Sequence, residues 1–414
     1  MKRQVLYLNW DGFASYYYEA AAERGIIPVL EGLREQGVFF EDARCGVPPI
    51  TNPMQTAIAS GAYSEKTRNV KLYYDRARRQ VIAQRRENAA EHIVDALWRQ
   101  GRTVASVHHF TFEENGTYAG DPQRPYVFVE EGGYRARFRQ LLRLYAGEPV
   151  CTGGQQMRVV QDPDFTAVYF DDLDTVGHNN GKLAPVAENE AQRVENVLWR
   201  LSQMDAALGE FLQGLKNLGI YDRISFFLVT DHGMAPFSFG EESLAAYREL
   251  LALLEQEGYR YEVLGGGESP QKDTDIVLAS AGLSLMLSFT KEPEEERVQR
   301  LKKLISEKSF VGGVMDAAEL RREGSMPFCD LYISPAPPFI FREKGPRTGA
   351  NHDSLDDSAR RIFSLIWGSG IQKNVRIKRP VRNIDFASTM TALLGAEPPR
   401  DNMGRCITEA LEEG

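Results

Sequence analysis

Four short apolar runs constrain this chain more than any other feature, because three of them end at an aspartate. Val5 to Trp10 runs into Asp11, Phe165 to Phe170 into Asp171, Asp172 and Asp174, and Ile224 to Thr230 into Asp231; the fourth is Ile362 to Trp367. Each is rich in β-formers and apolar throughout rather than alternating, the pattern of strands buried on both faces. Between the second and third lies Glu188 to Leu218, whose apolar positions (Val194, Val197, Leu198, Leu201, Met204, Leu208, Phe211, Leu212, Leu215) recur with helical spacing up to Gly219. Such an alternation implies an α/β fold, a mainly parallel sheet with helices on both faces. Ligands of such sheets bind at the carboxyl ends of the strands, where these aspartates stand.

A chain of 414 residues, 43% hydrophobic, can bury a large core. Residues 240–346 differ in texture, with a Gly-Gly-Gly turn at Gly265, an alternating stretch from Leu283 to Phe289, a charged helix-like stretch from Lys291 to Lys308 and prolines from Pro335 to Pro338. They read as a smaller α+β cap inserted into a core made of 1–239 and 347–414. Tyr63 to Val160 is not legible in detail. The net charge of -9 argues against a general nucleic-acid binder, and Arg76, Arg78, Arg79, Arg85 and Arg86 read as the solvated face of a helix. The opening Met1-Lys2-Arg3 leads into a run too short for a signal peptide, and no run is long enough to span a membrane. Cys45, Cys151, Cys329 and Cys406 are dispersed, without a CxxC pair. The expectation is a reduced, cytoplasmic protein without a membrane partner.

The chemistry-bearing residues cluster at the strand ends. Thr230-Asp231-His232-Gly233-Met234 puts two metal-competent side chains directly after a strand. Asp174 and His178 follow another, four residues apart, so both can face one ion. Gly349-Ala350-Asn351-His352-Asp353 is a third such loop. The chain has only six histidines, and His178, His232 and His352 all have this setting, whereas His92, His108 and His109 read as structural or surface. Asp11-Gly12 supplies a further carboxylate or, alternatively, an Asx turn. Pro48-Pro49-Ile50-Thr51-Asn52-Pro53 precedes a mild helix, Met54 to Ala59, so Thr51 is either an ordinary N-cap or a hydroxyl held where helix N–H groups meet a phosphate.

In order and local context, Asp11, Thr51, Asp174-x-x-x-His178, Asp231-His232 and His352 resemble the metal and nucleophile pattern of the alkaline phosphatase superfamily, in particular its type I phosphodiesterase/nucleotide pyrophosphatase branch. Asn383-Ile384-Asp385-Phe386 followed by Thr389 to Gly395 looks like that family's closing helix. The resemblance implies one ion held by Asp11, Asp231, His232 and the Thr51 oxygen, and a second held by Asp174, His178 and His352. Carboxylate and imidazole donors suit zinc, with manganese or iron as alternatives. Two such ions clamp the oxygens of an in-line displacement, and the activated Thr51 would become a phospho-threonine later hydrolysed by water. The substrate implied is a small phosphodiester or phosphoanhydride of nucleotide type.

Departures from the pattern mark the alternatives. Met54 stands where the nucleotide-cleaving branch has an Asn, and Thr51-Asn52-Pro53 looks more like phosphonoacetate hydrolase. By that likeness Asn52 and Asn69 are substrate-binding candidates, Asn69 as a donor to a phosphoryl oxygen. A phosphomonoesterase, or a non-catalytic relative that binds a phosphorylated ligand, would share the core. Cys45-Gly46-Val47-Pro48-Pro49 lacks the spacing and Arg of a sulfatase signature. No Lys or Arg occurs between Thr51 and Lys66, which favours diesters over monoester dianions unless Lys66, Arg68 or Lys71 reaches the site.

Overall fold

The computed structural model describes residues 3–129 and 132–412; Met1 and Lys2 of the opening segment lie outside the described residues. Its largest sheet has eight strands in the order Val375–Ile377, Gly37–Phe40, Ser364–Gly368, Ile224–Val229, Gln4–Trp10, Phe165–Phe170, Val104–Val107, Tyr126–Val127. Ser364–Gly368 runs antiparallel to both neighbours, and the other pairings are parallel. Gln4–Trp10, Phe165–Phe170 and Ile224–Val229 are buried along their whole length, as their uninterrupted apolar runs require. Helices cover both faces: Ser15–Glu23, Pro28–Gln36, Gly133–Tyr145 and Glu190–Asn217 share one apolar layer, and Thr51–Ser60, Ile93–Arg99 and Asp385–Leu393 the other.

Glu190–Asn217 is N-capped by Asn189, whose side chain accepts from Gln192 N at 3.0 Å, and it buries Val197, Leu201, Met204, Leu208, Phe211 and Leu215. The fourth apolar run splits. Ile362 pairs with Ala43 in a separate three-stranded sheet, so the main-sheet strand starts at Ser364. Tyr17 and Tyr18 are core residues of the first helix, and the hydroxyls of Tyr16 and Tyr17 accept from the buried Arg193, which also pairs with Glu190.

A second sheet, Tyr261–Val263, Ile276–Ala279, Leu285–Phe289, Leu331–Pro335, Val311–Asp316, is covered by helices Glu241–Gln256 and Glu295–Ser306. Against it packs a hairpin, Leu72–Asp75 with Gln80–Ala83, from the stretch that was not legible. This corrects the arginine-rich helix expected there. Tyr73, Tyr74, Val81 and Ile82 favour strands, Arg76 to Arg79 form the turn, and Arg76 reaches Phe289 O at 3.0 Å and pairs with Asp330. Among the described residues no helix is long and apolar enough to cross a membrane, and all four cysteines are free.

His92 and His109 are buried, the latter against Tyr7, Phe112 and Tyr169 with ring centroids 5.6, 4.5 and 5.9 Å away. Burial holds the pKa of His92 down at about 4 and that of His109 at about 3. An unfolded chain takes up protons on these rings below pH about 6.5, whereas the folded chain does not until its own lower pKa. Stability therefore falls as pH drops from about 6.5, by about 1.4 kcal/mol per pH unit for each ring. Among the described residues no other one hydrogen-bonds the His109 ring, so His109→Phe should keep the packing and flatten the profile. Urea unfolding between pH 7 and 5 checks this; an unchanged slope contradicts it.

Candidate metal and phosphate site

Three carboxylates meet because their strands are adjacent. Gln4–Trp10 lies between Phe165–Phe170 and Ile224–Val229, with Trp10 opposite Phe170 and Leu8 opposite Leu228. Asp11 follows its strand at once, Asp231 follows its own after Thr230, and Asp174 lies in the short helix Asp172–Gly177. The closeness depends on Gly12. It has φ +71°, and a Cβ there would stand 2.9 Å from Asp174 Cα, so only glycine fits without displacing that backbone.

Donor atoms of Asp11, Asp231 and His232 all lie within 4.8 Å of one another, as do those of Asp174, His232 and His352. His232 Nε2 is 3.2 Å from Asp11 Oδ1 and 3.4 Å from Asp231 Oδ2. His178 Nε2 is 3.3 Å from Asp174 Oδ1, and the His178 and His352 rings meet edge to face at 5.3 Å. Asp11, Asp174, Asp231, His178, His232 and His352 thus come together, with His232 between the two groups.

The tautomers bear on what these atoms can hold. His178 Nδ1 lies 2.9 Å from Ala350 O and His232 Nδ1 3.0 Å from Gly233 O. Carbonyl oxygens only accept, so both Nδ1 atoms carry hydrogen and both Nε2 atoms point at carboxylates. A neutral imidazole lone pair facing a carboxylate is repulsive unless the ring is protonated or a cation sits between them. Asp11 Oδ1, Asp174 Oδ1, Asp231 Oδ2 and His352 Nδ1 are buried without a hydrogen-bond partner, an arrangement that structures avoid unless such atoms coordinate something. These residues fit divalent cations.

The charges agree. Burial, then Asp231 and Asp174, push the Asp11 carboxyl well above the usual range. Burial opposes ionisation of Asp174 too, but His178 beside it prevails and holds it below the usual value. Burial, reinforced by His232, keeps His352 neutral, as a ligand must be. Tyr169 OH donates to Asp11 Oδ2, turning the other oxygen towards His232; this orienting contact was not legible, since Tyr169 sits mid-strand.

Thr51 is the first residue of helix Thr51–Ser60, longer than the stretch expected, with Ile50 in the N-cap position and no side-chain cap. Its Oγ1 is 3.0 Å from His232 Nε2, so the hydroxyl faces the carboxylate cluster. The helix is pinned from beneath by buried side chains. Gln55 Nε2 donates to Asn9 Oδ1 at 2.6 Å, and Asn9 Nδ2 donates to Tyr7 OH at 2.8 Å and Val229 O at 3.1 Å. Asn9 was missed because a polar residue within an apolar strand gives no sign of its partners.

Thr51, Asn52, His178 and His352 line one cleft of about 450 Å³, and Lys71, Arg85 and Arg86 line it too. Lys71, one of the cations whose reach the sequence leaves open, thus shares the cleft with Thr51, and the reading of Arg85 and Arg86 as a solvated helix face is corrected: the hairpin brings both to the same cleft. Asn69 is a second correction. Its amide donates to Arg85 O at 3.4 Å and Glu87 O at 3.0 Å, and its Oδ1 accepts from Lys71 N at 3.2 Å, so it braces the loop rather than facing a phosphoryl oxygen.

A family model for type I phosphodiesterase / nucleotide pyrophosphatase matches residues 5–318. Human ectonucleotide pyrophosphatase/phosphodiesterase family member 1 is 24% identical over 239 residues, 56% of this chain and 23% of that one. Venom phosphodiesterase of Naja atra is 24% identical over 248 residues, 56% of this chain and 26% of the relative. The matched region thus spans about a quarter of these relatives. Human ectonucleotide pyrophosphatase / phosphodiesterase 5 superposes with a TM-score of 0.70 at 15% identity, covering 99% of this chain and 100% of that one. An inactive murine form of the same protein in complex with AMP gives 0.69 at 15% identity, with the same coverage. The fold is alkaline phosphatase-like, and the chain belongs to the type I phosphodiesterase/nucleotide pyrophosphatase family.

Proposed function

We propose that the protein hydrolyses small phosphodiesters or phosphoanhydrides in two steps through a phospho-threonine at Thr51. The observation that carries this reading is the Thr51 hydroxyl, uncapped at a helix N-terminus and 3.0 Å from His232 Nε2. Asp11, Asp231 and His232, with Thr51, would hold one divalent cation, and Asp174, His178 and His352 a second, zinc being the best match to the donors. When bound, such ions neutralise the carboxylates, lower the pKa of a hydroxyl or water and polarise phosphoryl oxygens.

The chain's own contribution is placement and charge. Thr51 Oγ gives up its proton to solvent and attacks phosphorus, the bond to the leaving oxygen breaks, and the leaving group departs as an oxyanion that is protonated from solvent. Helix Thr51–Ser60 aims its first N–H groups at the incoming phosphate. Water then attacks the phospho-threonine at phosphorus, returning the Thr51 hydroxyl and releasing the second product. The AMP bound to the murine neighbour supports a nucleotide-like substrate for this chain, and Asn52, on the cleft wall, is positioned to contact it.

Thr51→Ala should reduce kcat on bis-(p-nitrophenyl) phosphate below about 1% of wild type, while Thr51→Ser keeps a measurable fraction. An alanine variant with near-normal kcat would place the nucleophile elsewhere. Elemental analysis should find about two divalent ions per chain, with chelators abolishing turnover. His178→Ala and His352→Ala should each weaken metal retention by about tenfold or more. Trace metal together with chelator-resistant turnover would refute the two-ion reading.

A further inference from the structure

The base of the Leu72–Asp75/Gln80–Ala83 hairpin is built to present cations. Lys71 stands just before its first strand, and Arg85 and Arg86 follow Gln84 after its second. Gln84 N donates to Lys71 O at 2.8 Å, its Oε1 accepts from Val70 N at 2.9 Å, and its Nε2 donates to Arg68 O at 2.8 Å. The buried Asn69 amide bridges the same two segments. Lys71 itself is held at φ +73°, a left-handed conformation that a lysine adopts only when its surroundings impose it.

What the hairpin presents is a group of cations in the cleft that Thr51 also lines. Among the described residues no carboxylate pairs with the side chains of Lys71 or Arg85, while Glu113 pairs with Arg86, and no carboxylate lines the cleft. Lys71 and Arg85, without a carboxylate partner among the described residues, thus gather with Arg86 at one cleft although the chain carries a net charge of -9. The proposed displacement at Thr51 does not require them, since the Asp and His groups would hold the cations that serve the scissile phosphate itself.

We propose that Lys71, Arg85 and Arg86 form a subsite for a second anionic group on the substrate, a phosphate or a carboxylate, remote from the phosphorus that Thr51 attacks. The inference rests on the phosphoryl-transfer reading above and narrows its substrate class to small molecules with two anionic groups. Guanidinium and ammonium groups grip such oxygens by charge-assisted hydrogen bonds. Asn69 is a positioning residue in this scheme: it sets the spacing of Lys71 and Arg85 without touching substrate.

The test uses the full-length, metal-loaded protein. The rates are kcat/KM for ATP and for bis-(p-nitrophenyl) phosphate, which has no second anion; binding of phosphonoacetate is measured by calorimetry. Lys71→Gln and Arg85→Gln should each lower the ATP to bis-(p-nitrophenyl) phosphate ratio, or the phosphonoacetate affinity, by about tenfold. Arg85→Lys should restore most of the loss, and the loss should shrink as salt rises. Asn69→Ala, with Tm checked, should shift the same quantity in the same direction. A fall confined to ATP assigns a phosphate, and one confined to phosphonoacetate assigns a carboxylate. Ratios and affinities within about twofold of wild type in both Gln variants would overturn the subsite. Failure of the parent reading looks different, since wild type then turns over neither substrate while the calorimetric comparison still reads the subsite.

Discussion

Three carboxylates beyond the ends of three neighbouring strands, Asp11 and Asp231 buried and Asp174 half-buried, are the constraint on which the rest of the structure depends. Parallel pairing in register delivers Asp11, Asp174 and Asp231 to one place, and the approach of Asp174 to Gly12 closes the gap. Like charges this near, out of water, repel by several kcal/mol at an effective dielectric of about 20. Burial and its two neighbours accordingly push the Asp11 carboxyl upward. An arrangement so costly persists where positive charge offsets it, and the divalent cations proposed for this site would supply that charge. The orphaned oxygens and the Nδ1–H to carbonyl bonds of His178 and His232 are the local marks of the same solution.

The remaining architecture holds these groups still. Asn9, Gln55 and Tyr7 tie helix Thr51–Ser60 to the central strand. Asp353, next to His352, accepts from Leu283 N at 2.7 Å and Ser284 N at 3.1 Å. The loop between two strands of the second sheet is thereby fastened to the segment that carries a histidine of the site. Burial pushes the Asp353 carboxyl up to about 6, with those two N–H groups working against the rise. The second sheet therefore does more than cover the cleft: it fixes one of the site's donors, and through the hairpin packed on it the cations of the cleft as well.

Much of this was legible in the sequence because the signals were local. Apolar runs ending at aspartates gave the three inner strands, helical periodicity gave Glu190–Asn217, and each histidine of the site sat in a turn-rich loop after or before a strand. What was not legible depends on contacts between distant residues. Gly37–Phe40 and Val104–Val107 are four residues each, too short for periodicity to speak. Arg85 and Arg86 looked like a solvated face because nothing local says that a hairpin will bring them to the cleft that Thr51 lines. Asn69 was read by likeness as a substrate contact, yet its amide serves the backbone. Its environment is made by Gln84, Arg85 and Glu87, fifteen or more residues further along.

The central claim is that Thr51 carries the phosphoryl group between two displacements, and rapid acid quench followed by peptide mass spectrometry tests it most directly. Metal-loaded protein mixed with excess bis-(p-nitrophenyl) phosphate and quenched within the first turnover should yield the peptide containing Thr51 with the mass of one added p-nitrophenyl phosphoryl group. The fragment ions should place that group on Thr51, and the Thr51→Ala variant should show none. Full turnover with no modified peptide at any quench time, and inversion rather than retention at phosphorus with a chiral phosphorothioate diester, would mean that water attacks the substrate directly and would contradict the account.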